Sequence, residues 1–221
     1  MRTDRSSETD LKGRWLGVLE HPVLFLFQKS CLDSGYFQRL ADILRACAAG
    51  TTLDVCCGLG EFGAYFRQGY VGLDNSLPFL RYARAVHPQQ CFIAGDAAKI
   101  CFSAKSFDAV FWIGSAHHFR DAAFAVILNE MARVSRRWII VDDAVRYRRQ
   151  PALSRFLYSL DRGLKFRTVE DMENLLKCRQ DWEVIFQSQF KSRPGLYTHA
   201  VFVLQKNAAG QWKKDPQEQS R

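Results

Sequence analysis

The stretch 51–62, TTLDVCCGLGEF, limits what this chain can become more than any other part of it. Leu53 and Val55 flank Asp54 in a short apolar run, and the chain then turns through Cys56, Cys57, Gly58, Leu59 and Gly60. Beyond Glu61, the residues Phe62, Ala64, Tyr65 and Phe66 predict a helix that ends near Gly69. A buried strand, a glycine turn and a helix form the opening of a nucleotide-binding βαβ unit. Glycines let the chain turn sharply and let a ligand come close to the backbone. The start of the helix offers N–H groups and a partial positive charge. Asp54 narrows the choice of ligand. A carboxylate here would lie near a pyrophosphate, which disfavours a dinucleotide, whereas a ligand with an amino group and no phosphate tolerates it.

The rest of the chain repeats the pattern of strand then helix. Residues 1–14 are polar and mixed in charge, and 15–32 form an apolar segment around Pro22 that reads as one or two short helices. Two accounts fit that segment: packing over the main domain, or an amphipathic cap that touches substrate or a membrane surface. Phe37, Leu40, Ala41, Leu44 and Cys47 recur at helical spacing, and Gly50 closes that helix. YVGLD at 70–74 predicts a second strand ending in Asp74, about 20 residues beyond Asp54, the interval of a ribose-binding carboxylate. Ser76 is expected to cap the next helix, with Pro78 in its first turn. Residues 91–94 predict a third strand closed by Gly95 and Asp96, with a short turn at 97–100. Val110, Phe111, Trp112 and Ile113 predict a buried fourth strand, with Gly114, Ser115, Ala116, His117 and His118 at its end. Residues 121–134 predict an amphipathic helix, and 138–141 a fifth strand ending in Asp142 and Asp143. The segment 146–167 is rich in Arg and aromatic residues and reads as irregular. A capping box opens a helix at Thr168, and 182–190 and 198–205 predict the last two strands. Residues 207–221 read as a polar tail.

Size and composition agree with one α/β domain. The chain has 221 residues, 48% of them hydrophobic, enough to bury a real core. Its net charge of +8 permits anionic partners without requiring them. The seven cysteines form no C-x-x-C pair and read as reduced thiols of a cytoplasmic protein. No stretch approaches the roughly 18 apolar residues of a membrane span. The expected architecture is a three-layer α/β domain over 35–206, with a tail and apolar cap at 1–34 and a polar tail at 207–221.

The motifs bear a family resemblance. The segment from Asp54 through Gly58 and Gly60 resembles motif I of the class I S-adenosylmethionine (SAM)-dependent methyltransferases, an acid followed by G-x-G-x-G. It is especially similar to the ubiquinone/menaquinone-type branch, in which Cys occurs within that motif. Cys56 departs from the pattern: it stands where the family usually has its first glycine. Gly95-Asp96-Ala97 resembles the adenine-contact site, Phe107-Asp108-Ala109-Val110 the F-D-x-V entry into the fourth strand, and Ser115 to Phe119 the histidine segment after it. Glu130 to Val134 fits E-x-x-R-V. The resemblance spans 35–206 and is densest over 51–143.

The resemblance implies a Rossmann-like fold with a seven-stranded, mostly parallel sheet and helices on both faces. It implies SAM as cofactor, held by Asp54, Cys56, Gly58, Gly60, Asp74, Asn75, Asp96, Ala97 and Gly114, and no metal. A sulfonium methyl is already activated, so most of the rate comes from alignment, and a base is needed only for a protonated nucleophile. His117 and His118 are the candidate bases on intrinsic pKa; the plainer reading is that each packs at a strand end. The expected acceptor is a small molecule that is anionic, aromatic or lipid-like, and 146–167 together with 15–32 would cover it. A nucleic-acid or protein methyltransferase and a non-catalytic SAM-binding protein are the alternatives. Nucleic acid is disfavoured, since no N/D-P-P-[YF] tetrapeptide follows the fourth strand.

Overall fold

The computed structural model describes residues 35–47, 50–66, 68–160, 163–191 and 196–207. The expected apolar cap at 15–32 and most of the polar C-terminal tail lie outside them. The order of elements is α1 (Tyr36–Cys47), β1 (Thr52–Val55), a 3-10 turn (Glu61–Tyr65), β2 (Tyr70–Asp74), α2 (Leu77–Val86), β3 (Cys91–Ala94) and β4 (Phe107–Ile113). There follow a second 3-10 turn (Ala116–His118), α3 (Asp121–Val134), β5 (Ser135–Ala144), α4 (Ala152–Leu160), α5 (Val169–Lys177), β6 (Trp182–Lys191) and β7 (Thr198–Lys206).

The seven strands form one sheet in the order β3-β2-β1-β4-β5-β7-β6. The first five are parallel, β7 is antiparallel to β5, and β6 is antiparallel to β7. The alternation of side chains along each strand divides the core in two. Ala109, Phe111 and Ile140 face one way, against Leu40 and Leu44 of α1, Leu80 and Ala83 of α2, Phe62 of the first 3-10 turn and Phe66 just after it. Val110, Trp112, Ile139 and Val141 face the other way, against Phe124, Ile127 and Met131 of α3 and Met172 and Leu176 of α5. Helices therefore cover both faces, as a parallel sheet requires. The strand order reverses between β1 and β4, and the crevice beyond their carboxyl ends is where such sheets bind ligands. Among the described residues no helix is long and apolar enough to cross a membrane.

Four local expectations change. The helix after the glycine turn is only the five-residue 3-10 turn. Gly63, a poor helix former, lies inside it, and the side-chain amide of Gln90 donates to the carbonyls of Gly63 (3.0 Å) and Phe66 (2.6 Å), so these carbonyls end the element instead of extending it. Ser76 begins α2 without a side-chain cap; its backbone N–H donates to Asp74 Oδ1 at 2.8 Å. β5 starts directly at Ser135 with no preceding turn and runs on to Ala144, so Asp142 and Asp143 lie inside the strand. The segment 146–167 contains a regular helix, α4, anchored by Tyr158, whose hydroxyl donates to Val145 O at 3.0 Å.

No helix links β3 to β4; α3 holds that connection in place. Ile100 N–H donates to Glu130 Oε2 (2.8 Å), and Arg133 donates to the carbonyls of Ile100 (2.8 Å) and Phe102 (2.8 Å) while pairing with Glu130. The Arg133 guanidinium beside Glu130 holds that carboxyl below its usual range. The E-x-x-R element thus supports the loop that starts at Asp96. Arg133→Ala is expected to lower unfolding stability by about 1–3 kcal/mol, the loss of hydrogen bonds from a charged donor, and to speed amide exchange across 96–102. A variant with wild-type thermal midpoint and exchange would contradict this support.

Candidate active site

A cleft of about 400 Å³ opens at the carboxyl ends of β1, β2, β3 and β4. That volume lies within the range of small-molecule sites, about 300–1,000 Å³. Its walls bring together Asp54, Cys56, Gly58, Asp74, Asn75, Asp96, Ala97, Gly114 and His118. Gly60 and His117 are not among its lining residues. Gly60 shapes the loop from behind: its φ is +72°, and a Cβ there would meet the Phe92 ring at 2.4 Å. Glu61, Ser76, Phe79, Ser115 and Phe119 also line the cleft. None of these carries a signal in the sequence beyond proximity to a motif.

The loop after β1 is held by a carboxylate from the next strand. Asp74 Oδ2 accepts from Gly58 N–H and Asp74 Oδ1 from Ser76 N–H, each at 2.8 Å. An ionised carboxylate has about four acceptor positions, so Asp74 retains acceptor capacity toward the cleft. Asp54, only 2% exposed, accepts from the Tyr70 hydroxyl at 2.6 Å. Burial and the adjacent Asp54 push the Tyr70 phenol well above its ordinary pKa, so it stays a donor. Cys56 has φ +58°, the left-handed conformation that glycine adopts most readily. Burial, followed by the Asp74 charge, pushes its thiol pKa far up, while Ser115 beside it pulls the other way.

The two histidines have different surroundings. His118 is exposed and lines the cleft. His117 is 7% exposed, lies against Asp143 Oδ1 through Nδ1 at 2.6 Å, and stacks on Phe166 with centroids 4.7 Å apart and rings 11° from parallel. Gly163 closes over it: a Cβ there would lie 2.5 Å from His117 Cδ2. Arg167 fixes the turn that carries both. It is 2% exposed and donates to Ala116 O (3.1 Å), Phe119 O (2.7 Å) and Asp121 Oδ1 (3.0 Å). Read from sequence as part of a cationic cover, Arg167 is a clamp instead, and Lys165 is paired with Asp121.

Asp142 and Asp143 diverge to opposite faces of the sheet. Asp143 meets His117 on the α3 face. On the α1 face, Asp142 Oδ2 accepts from the Tyr36 hydroxyl and lies 3.0 Å from His199 Nδ1, with the two rings 4.5 Å apart. Burial and then the Asp142 charge raise the Tyr36 pKa well above its usual value. Asp142 itself is fully buried, and its Oδ1 has no partner. Nothing local in the sequence joins Tyr36, Asp142 and His199; only strand pairing and α1 packing bring them together.

Known proteins agree with this geometry. Residues 52–137 match the family described as "Methyltransferase domain". A fatty-acid O-methyltransferase from Mycolicibacterium smegmatis is 37% identical over 91 residues, 38% of this chain. The match spans about a third of that relative's length, 32%. The magnesium protoporphyrin IX methyltransferase of Synechocystis PCC 6803, solved with bound S-adenosylhomocysteine, superposes with a TM-score of 0.65 at 14% identity, over 78% of this chain and 82% of that one. The [4+2]-cyclase SpnF superposes with a TM-score of 0.62 at 15% identity, over 77% and 81%. Likeness at such identity is a likeness of fold. Over 52–137 the chain is similar to a methyltransferase domain, and its fold is shared with solved methyltransferases.

The site fits SAM, the cofactor that the motifs of the sequence imply. SAM is cationic, and the cleft is lined by Asp54, Glu61, Asp74 and Asp96 in a chain whose net charge is +8. A Cβ placed on Gly58 or Gly114 would meet nothing within 4 Å, so the backbone there is open to a ligand.

Cys56→Gly is expected to keep or raise stability, by up to about 1 kcal/mol. Relief of the left-handed strain outweighs the added freedom of the unfolded chain. Cys56→Ala keeps the strain and should be the less stable of the two. Denaturant unfolding and SAM titration check both variants; a large loss in Cys56→Gly would give the thiol a role of its own.

Proposed function

We propose that this protein transfers the methyl group of SAM to a small-molecule acceptor that is anionic, aromatic or lipid-like. The observation that carries the proposal is the acid-lined cleft at the β1/β4 switch point, which the exposed imidazole of His118 also lines. SAM supplies a methyl already activated on a sulfonium. Asp74 would accept from ribose hydroxyls, Asp96 from the exocyclic amine of adenine, and Asp54 would favour the cationic end. The open backbone at Gly58 and Gly114 admits the ligand closely.

The remaining residues orient the acceptor and exclude water. Trp112 and Phe119 pack edge to face at 5.6 Å behind the end of β4, and Phe119 lines the cleft. Arg146 lies over the Phe166 ring at 5.9 Å, a cation on an aromatic surface beside His117. Such a surface suits a carboxylate or phosphate attached to an apolar body. The similarity to a fatty-acid O-methyltransferase supports that class. For an acceptor with a proton to lose, His118 is the titratable imidazole in the cleft, and His117, held by Asp143 and Phe166, positions it from behind.

The test is transfer of labelled methyl from SAM to fatty acids and alkylphenols of graded length. Transfer to at least one series is expected, and His118→Ala should lower kcat on the phenols by about 10²-fold or more while SAM affinity stays unchanged. Arg167→Ala should lose activity together with about 2–4 kcal/mol of stability, because two buried carbonyls lose their donors. SAM binding without transfer to either series would contradict the acceptor class, and wild-type kcat in His118→Ala would remove the imidazole from the reaction.

A further inference from the structure

The outer face of α4 is an apolar ridge ringed by arginines. The inner face is fixed: Ser154 is fully buried with its hydroxyl donating to Leu196 O, and Tyr158 is 2% exposed and bonded to Val145 O. Val145 directly follows β5, so α4 lies on the rim of the sheet where the cleft opens. The other face carries Leu153 and Phe156, three residues apart, at 57% and 58% exposure, and Leu164 follows at 65%. Large apolar side chains grouped this way on one rim mark an interaction surface.

The charges beside this ridge separate it from an ordinary solvated helix. Arg148, Arg149 and Arg155 are exposed, and among the described residues none of them forms an ion pair or a ring contact. The basic side chains that follow on this segment or flank it are engaged: Arg146 over Phe166, and Lys165 and Arg167 by Asp121. Three unneutralised guanidinium groups therefore stand within a few residues of the exposed Leu153 and Phe156. Flexible Arg stems reach past an apolar ridge toward headgroups while the ridge enters the acyl boundary.

We propose that this face of α4 docks the protein on a lipid bilayer that carries anionic headgroups. Leu153, Phe156 and Leu164 enter the interface, and Arg148, Arg149 and Arg155 meet the phosphates and carboxylates. Docking turns the rim of the cleft toward the membrane. It does not depend on which acceptor is methylated, since a protein acting on a soluble acceptor would bind the same surface. The helix is short, so the contact is peripheral and electrostatically assisted, and adding salt should weaken it.

Sedimentation of the full-length protein with phosphatidylcholine vesicles, with and without about one third phosphatidylserine, tests the proposal. Partitioning to the anionic vesicles is expected to be at least about tenfold stronger and to fall steeply between about 0.1 and 0.5 M salt. R148E/R149E/R155E should lose about 100-fold or more, at roughly fivefold for each cation removed. L153S/F156S should lose about tenfold while its residual binding keeps the same salt dependence. All five substituted side chains are exposed, so the thermal midpoint and SAM affinity should not change, and these serve as controls for folding. Equal binding to both vesicle types, no binding by wild type, or full binding by the arginine variant overturns the proposal. So does a wild-type dimer in light scattering that L153S/F156S dissociates in the absence of vesicle binding, which would assign the ridge to a second copy.

Discussion

The Asp74 carboxylate joins three elements at one point. It ends β2, holds the loop after β1 through Gly58 N–H, and holds the entry to α2 through Ser76 N–H. Charge-assisted bonds to backbone N–H groups are among the stronger hydrogen bonds. Here they fix a loop whose dihedral angles are unusual: Cys56, Gly58 and Gly60 all have positive φ. The first 3-10 turn after that loop is too short to supply much helix dipole. Side-chain carboxylates therefore carry the electrostatics of this cleft, and they suit a cationic ligand.

The same economy recurs at the carboxyl end of β5. Two consecutive acids point to opposite faces because side chains alternate along a strand. Each is buried, and each meets an imidazole from a distant part of the chain: His117 for Asp143 and His199 for Asp142. The α3 face is the more completely enclosed, with Phe166 and Gly163 over His117 and Arg167 beneath the turn. The tight turn that carries His118 into the cleft depends on Arg167, a side chain 50 positions further along that never reaches the cleft.

The sheet and most of the residues that line its cleft are legible in the sequence, and the reasons are local. Short apolar runs, one around Asp54 and two ending in Asp74 and Gly95-Asp96, report strands, and the turns after them must sit at strand ends, where ligands bind. The 3-10 turn was read as a helix because its aromatic residues have helical spacing; the competing donors from Gln90 lie 24 and 27 residues away. Helix α4 was hidden because arginines and aromatics alternate through 146–167 without an evident stripe. Arg167 looked like one cation among several, and only burial against two carbonyls marks it as a clamp. The Tyr36–Asp142–His199 group depends on contacts across 106 and 57 residues, beyond any local pattern.

The account rests on the acid-lined cleft as the SAM site, with Asp74 at its centre. Calorimetric titration of SAM and S-adenosylhomocysteine into the protein tests this most directly. One site per chain with micromolar affinity, on the order of −8 kcal/mol, is expected, and Asp74→Ala should weaken it by about 1–3 kcal/mol. Absence of binding by the wild-type protein, or equal binding by wild type and Asp74→Ala, would contradict the account.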